Sequence, residues 1–349
     1  MNMASLKSRM KKLEKVYAFF WGLPFYRKLM YFLHVPIKEI IVRDNLSKTE
    51  IAIRAIDMVF CLWVYGCTYT EYNLYDFSSQ NHHERSKYIG DCTRKKYYMK
   101  LNSVEDIDSF RNKYQTYQAF QSYYGRAVYK YRIQEGYGRF GEIVRACGTA
   151  MVKPATASGG YGVMKVAAAD EKEIRECFDA ISNIAPNEEI IIEEYVRQVP
   201  ELMALHPSSL NTVRIITVVD QNGEPHILGT LFRVGKGGMV VDNGASGGIL
   251  CAVSEEGTIL KCLDKKNNRS YLRHPDTDHL LVGFKIPCWD AAKNLAKKLA
   301  RKKTGIRYCG WDLALSSKGW IMIEGNEGAE LAGIQIFGGG CKDAITKYI

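Results

Sequence analysis

Residues 212–220 (TVRIITVVD) and 226–234 (HILGTLFRV) read as two apolar strands separated by Asn222-Gly223. Asn-Gly between β-branched runs signals a hairpin, because the tight turn needs positive φ at its centre. A chain committed to a hairpin here pairs its strands antiparallel. The pattern returns at 308–315 and 320–324, joined by Ser316-Ser317-Lys318-Gly319. It also occurs at 149–154 and 163–167, joined through Gly159, Gly160 and Gly162. Helical patterns cover 170–183 and 289–303, and 189–193 reads as a buried strand. Hairpins outnumber strand–helix–strand units, so this half of the chain is expected to be α+β around an antiparallel sheet.

The first hundred residues have another character. Leu6 to Phe20 reads as an amphipathic helix that Gly22 and Pro24 end, and residues 46–75 read as a helix capped by Ser47 or Thr49. A polar loop is expected over 75–91 and a helix over 104–124. The division that follows is a helical region, 1–103, and an α+β region, 104–349, whose parts are about 104–200 and 201–349.

Charge and composition narrow the function. Apolar residues make up 46% and charged residues 25%, which is ordinary for a globular protein and excludes bulk disorder. The longest apolar run, Ile51 to Cys67, is broken by Arg54 and Asp57. It falls short of the roughly 20 clean residues that cross a bilayer. The net charge is +10, and basic residues crowd at Lys7, Arg9, Lys11, Lys12, Lys15 and again at Lys297, Lys298, Arg301, Lys302, Lys303. Such a balance suits nucleic acid, anionic lipid or phosphate-bearing substrates, or a solvated helix face. No nucleic-acid motif or stacking platform supports the first, so no nucleic-acid partner is expected. The ten cysteines have neither CxxC nor zinc spacing, and no secretory signal is read. Reduced thiols in the cytoplasm are expected.

Four constellations can carry chemistry. Lys153 stands on a strand beside Ser158-Gly159-Gly160-Tyr161-Gly162. Glycines let backbone N–H groups approach phosphate oxygens, and the lysine adds a point charge. A purely conformational hairpin tip has the same look. Glu324 and Asn326 are two apart on one strand and share a face, and Asp312 on the preceding strand can join them. Two carboxylates and an amide oxygen suit Mg²⁺; surface acids at strand ends are the alternative. Arg214 lies inside an apolar strand and Arg233 on its neighbour, which suits a phosphate or carboxylate, or a buried salt bridge. Finally, Glu193-Glu194-Tyr195-Val196 is an ordinary strand end, or ends a strand at a hinge where backbone can face an adenine edge.

In this order the features resemble the ATP-grasp superfamily. The likeness is strongest to its sugar-transfer-associated branch, of the teichuronopeptide-synthesis type. It rests on VKPATASGGYGV (152–163), EEYVRQVPEL (193–202), HPSSLNTVRIITVVD (206–220), DNGASGGI (242–249) and GWDLALSSKGWIMIEGNEG (310–328), and spans about residues 105 to 340. The resemblance implies two α+β subdomains gripping ATP. It implies nucleotide-contacting lysines at Lys113 and Lys153, a phosphate loop from Ser158 to Gly162, and an adenine hinge at Glu193, Glu194 and Val196. Glu201 takes the place of the ribose-binding acid. Asp312, Glu324 and Asn326 take the place of the magnesium ligands, with Mn²⁺ as an alternative ion. Arg214 takes the place of the basic residue beside the transferred phosphate, and Arg233 stands with it.

The implied activity is ATP-dependent joining of a carboxylate to an amine through an acyl phosphate. The substrates would be small molecules such as a sugar acid or amino acid, in the building of a cell-surface polysaccharide. A kinase-like phosphotransferase and a non-catalytic nucleotide-binding module are the alternatives. The N-terminal third departs from the family's usual Rossmann-like start. Its basic, aromatic sequence suits packing of the aromatics on the protein's own core, or contact with an anionic membrane or a lipid-linked precursor at the inner face of the membrane.

Overall fold

A computed structural model describes residues 40, 46–157, 159–238, 242, 247–303 and 305–349. The helix expected over 6–20 lies outside them. The described chain forms two compact units, one of residues up to Lys96 with 338–343, the other of 97–337 with 344–349.

The first unit is helical. Helices α1 (Lys48–Tyr65), α2 (Tyr69–Leu74) and α3 (His82–Arg85) lead into α4 (Asp91–Leu101), which runs on into the second unit. Ser47 caps α1 in a reciprocal capping box with Glu50. The single helix expected over 46–75 is two helices, because Gly66 takes φ 67° and ends α1. A side chain there would also meet Thr93 Cγ2 at 2.3 Å. The polar stretch read as a loop contains α3, which Asn81 and Glu84 cap.

The second unit holds the remaining elements, apart from residues 338–343 near the C-terminus. Helices α5 (Val104–Arg111) and α6 (Lys113–Phe120) replace the one helix expected over 104–124. Asn112 breaks it by leaving the helical region and capping α6 with its side chain. A four-stranded sheet follows, in the order β1 (Val128–Tyr131), β4 (Ile190–Glu194), β2 (Thr149–Pro154), β3 (Met164–Ala167). Helices α7 (Gly136–Cys147) and α8 (Glu171–Ile184) cover it. Their apolar faces bury Phe140, Val144, Ile174 and Ile181 against Val152, Val166, Ile190 and Ile192. After the one-turn α9 (Pro200–Met203) comes a seven-stranded sheet. It contains β5 (Thr212–Val219), β6 (Pro225–Val234), β7 (Ile249–Val253), β8 (Ile259–Asp264), β9 (Arg269–Ser270), β10 (Tyr308–Ser316) and β11 (Gly319–Asn326).

Its order is β11-β10-β5-β6-β7-β8-β9, antiparallel throughout. The Asn222-Gly223 and Ser316–Gly319 hairpins both form. Helix α10 (Trp289–Lys302) packs on β5, β6, β10 and β11, and α11 (Ala332–Gly338) and α12 (Lys342–Thr346) close the chain. The two sheets meet where β4 ends. Val196 packs against Ala314 and Ile321, and Gln198 bridges to Ser316.

Candidate active site

Register places the site. On β11, β10 and β5 the residues Glu324, Asp312 and Arg214 are direct partners across adjacent strands. Partners in an antiparallel ladder project from one face, so the three side chains form a row. Arg214 donates from Nε to Asp312 Oδ1 and from Nη2 to Oδ2 at 2.7 Å. Gly310 makes room for it, since a side chain there would sit 3.0 Å from Arg214 Cδ. Arg233 reaches the same carboxylate, with Nη2 2.8 Å from Asp312 Oδ2. Burial alone raises the Asp312 pKa, but the two guanidiniums outweigh it and hold the carboxyl below its usual range.

Asn326 completes the row. With its amide nitrogen toward Glu324 Oε1 at 3.2 Å, its oxygen accepts from Arg214 Nη2 at 3.2 Å. Thr212 extends the network. Its backbone N–H and hydroxyl donate to Asp242 Oδ2, at 2.7 and 2.5 Å, while its hydroxyl accepts from Arg233 Nη2 at 2.7 Å. Burial pushes the Asp242 carboxyl up, and Arg233 and Thr212 pull it only part of the way back.

The four-stranded sheet contributes a second cluster. Lys153 on β2 and Glu193 on β4 are a buried ion pair. Arg126, just before β1, donates to Glu193 Oε2 from Nη2 at 2.7 Å and from Nε at 3.0 Å. Arg126 also donates from Nη1 to the Met322 carbonyl of β11 at 2.8 Å, so one guanidinium ties the two sheets. Burial opposes ionisation of Glu193, yet Arg126 and Lys153 hold its pKa down at about 2.

Lys113 opens α6 and donates to the Ala157 carbonyl at the base of the glycine tip. Burial lowers its pKa. Glu324 opposes that and Lys153 adds to it, so Lys113 lies within electrostatic reach of both clusters.

At the tip, Gly159, Gly160 and Gly162 all have positive φ. Gly162 is also close-packed, since a Cβ would sit 3.0 Å from Pro154 Cδ and 3.2 Å from Ile184 Cγ2. Ser158 lies outside the described residues. Glu194 ends β4 with its N–H on the Ala127 carbonyl, and Val196 is buried beyond it. Glu201 is exposed on α9. Among the described residues no cluster of three or more His, Cys, Asp or Glu has metal-holding geometry. The candidate set is two carboxylates and an amide.

Sequence reasoning misses Arg126. It lies in YYGRAVYKY, where a charge just ahead of a short strand is the faint signal it leaves. Asp242 lies in DNGASGGI, which the sequence marks without giving that acid a role.

Solved structures with a similar chain path include D-alanyl-alanine synthetase A from Vibrio cholerae. It is 14% identical over 69% of this chain and 65% of that one, with a TM-score of 0.44. N5-carboxyaminoimidazole synthase from Aspergillus clavatus is 12% identical over 65% of this chain and 47% of that one, with a TM-score of 0.40. L-amino acid ligase from Bacillus licheniformis is 15% identical over 65% and 42%, with a TM-score of 0.39. The chain spans less than half the length of the latter two. No curated protein matches it in sequence. The model of the sugar-transfer-associated ATP-grasp family matches residues 92–347, which takes in both sheets, and the chain belongs to this family, with its ATP-grasp fold and a helical N-terminal region.

Proposed function

We propose that the protein is an ATP-dependent carboxylate–amine ligase. The observation that carries this reading is the tie made by Arg126, whose guanidinium holds Glu193, the partner of Lys153, and also donates to the Met322 carbonyl on the strand that bears Glu324. The lysine cluster of one sheet is thereby fixed beside the acidic row of the other. Cations from one sheet beside hard oxygen donors from the other suit a nucleoside triphosphate and its metal.

The donor set fits magnesium. Glu324 and Asn326 would hold the ion with oxygens on one strand face, and Asp312 would divide its carboxylate between the ion and two arginines. When bound, the ion neutralises charge on the phosphate oxygens. Lys113 and Lys153 do the same with their ammonium groups, and the glycine tip offers backbone N–H groups and keeps water out. Arg214 and Arg233 hold positive charge where an anionic acceptor must approach a phosphoryl group.

The chemistry balances. A carboxylate oxygen attacks the γ-phosphorus and ADP leaves, giving an acyl phosphate. An amine then attacks the carbonyl carbon, phosphate leaves with the C–O bonding pair, and the amine gives up a proton. A free carboxylate lacks a leaving group for this attack, which is why ATP is required. We assign the substrates to sugar acids or amino acids of a surface glycan, on the strength of the sugar-transfer-associated family alone.

The test is ADP release with pairs of amino acids and uronic acids, together with hydroxylamine trapping. Release that needs a carboxylate, and a hydroxamate of that carboxylate, are expected. A stable phosphorylated product formed without an amine would make the protein a phosphotransferase. ATP binding without turnover of any pair would make it a binding module.

A further inference from the structure

Helix α1 is built inside out. Its inner side buries Met58 and Cys61 and carries a charge pair, with Asp57 accepting from Arg85 Nη1 at 2.6 Å and from Tyr72 at 2.6 Å. Its solvent side is apolar. Ile53 is 63% exposed, Ile56 71%, Phe60 48% and Val64 49%, and Trp63 lies on the same side at 60%. Spacings of three, four and seven place these side chains on one face. A contiguous apolar face of this kind marks an interaction surface.

Charge selects the occupant. Residues 1–45 lead directly into α1 and hold nine Lys and Arg against three acids. Their aromatics include Phe19, Phe20, Trp21, Phe25 and Phe32. A second copy of the chain would satisfy the apolar face but would bring two basic segments together. An anionic surface satisfies both features. The helix cannot span, since it carries Lys48, Glu50, Arg54 and Asp57, and no described helix is long and apolar enough to cross a membrane.

We infer that the α1 face docks on an anionic lipid bilayer, lying in the interface with residues 1–45 supplying the attraction. Apolar side chains entering the headgroup boundary and basic residues facing anionic lipid are two separable contributions.

The test is co-sedimentation of the full chain with vesicles of phosphatidylcholine and phosphatidylglycerol, against phosphatidylcholine alone. Binding to the anionic vesicles that high salt weakens is expected. The variant Ile53→Ser/Ile56→Ser/Phe60→Ser should lose about tenfold or more in partitioning, and Lys7→Gln/Lys11→Gln/Lys12→Gln a similar factor. The serine variant should keep its melting temperature, because the face is exposed. Full-length protein left in the supernatant at low salt overturns the proposal, as does a serine variant that binds like the parent. A lower melting temperature in that variant would mean the chain already covers the face. A change from dimer to monomer would mean a second copy does, and either result also overturns the proposal.

Discussion

Arg214 and Asp312 face one another across β5 and β10, 98 residues apart in sequence, with two guanidinium nitrogens on two carboxylate oxygens. Both groups are largely buried, and Arg233 shares the same carboxylate. Removing one partner of such a set leaves buried charge without compensation, at a cost of about 3–5 kcal/mol. Asp312→Asn keeps the size and removes the charge. Its expected loss in chemical denaturation is of that order, and ATP-dependent turnover should be abolished. A loss under about 1 kcal/mol would mean the arginines find other acceptors.

Glu193 makes the fold sensitive to acid in a defined window. Its ordinary pKa is 4.5, and in the fold it is about 2. A depressed carboxylate contributes stability above its unfolded pKa and loses it as pH falls through the folded value. The Glu193 contribution should therefore be complete above pH 4.5 and gone near pH 2. The shift corresponds to roughly 3 kcal/mol. Glu193→Gln should be less stable at neutral pH, and the difference between it and the parent should shrink across that window. A difference that stays constant as the pH is lowered through the window would locate the acid sensitivity elsewhere, with Asp312 the next carboxylate to test.

The parts of the site that local sequence controls are legible without the structure. Glu324 and Asn326 share a face because a strand alternates sides, and the Ser316–Gly319 turn fixes the pairing as far as Leu313 and Met322; the register shift between Asp312 and Leu313, which no turn residue announces, then sets Asp312 opposite Glu324. Lys153 and the glycine tip belong to one hairpin. Pairings between distant segments are not legible. Nothing local says that β10 lies beside β5, so the role of Arg214 as a partner of Asp312 comes only with the sheet order. Helix α7 is hidden by Gly136, Gly138 and Gly141, which lower helix propensity. Burial of Phe140, Ile143 and Val144 overrides that local preference.

Two glycines should respond with opposite signs to the same change. Gly162 has φ 69°, and an alanine Cβ would press on Pro154 and Ile184. The left-handed conformation alone costs about 1–2 kcal/mol for an L-residue. Gly162→Ala should therefore lower stability by at least that amount and weaken ATP binding. Gly138 lies in α7, and a Cβ added there would meet nothing within 4 Å. Gly138→Ala should raise stability by about 0.5–1 kcal/mol and leave ATP binding unchanged. Equal effects in thermal unfolding would show that the tip geometry imposes no special demand at Gly162.

Lys113 tests whether the site trades stability for function. Burial lowers its pKa, and Lys153 adds repulsion, so its charge is held at a cost in the folded protein. Lys113→Met keeps the length of the stem and removes that charge. The fold should not lose stability in thermal unfolding and should gain if the desolvation cost outweighs the bond to the Ala157 carbonyl. ATP affinity should fall by about 1.5–3 kcal/mol, the worth of a charge-assisted hydrogen bond to phosphate. Calorimetry with ATP and magnesium separates the two effects. Unchanged affinity, together with a less stable protein, would make Lys113 a strut for the glycine tip and remove it from the phosphate site.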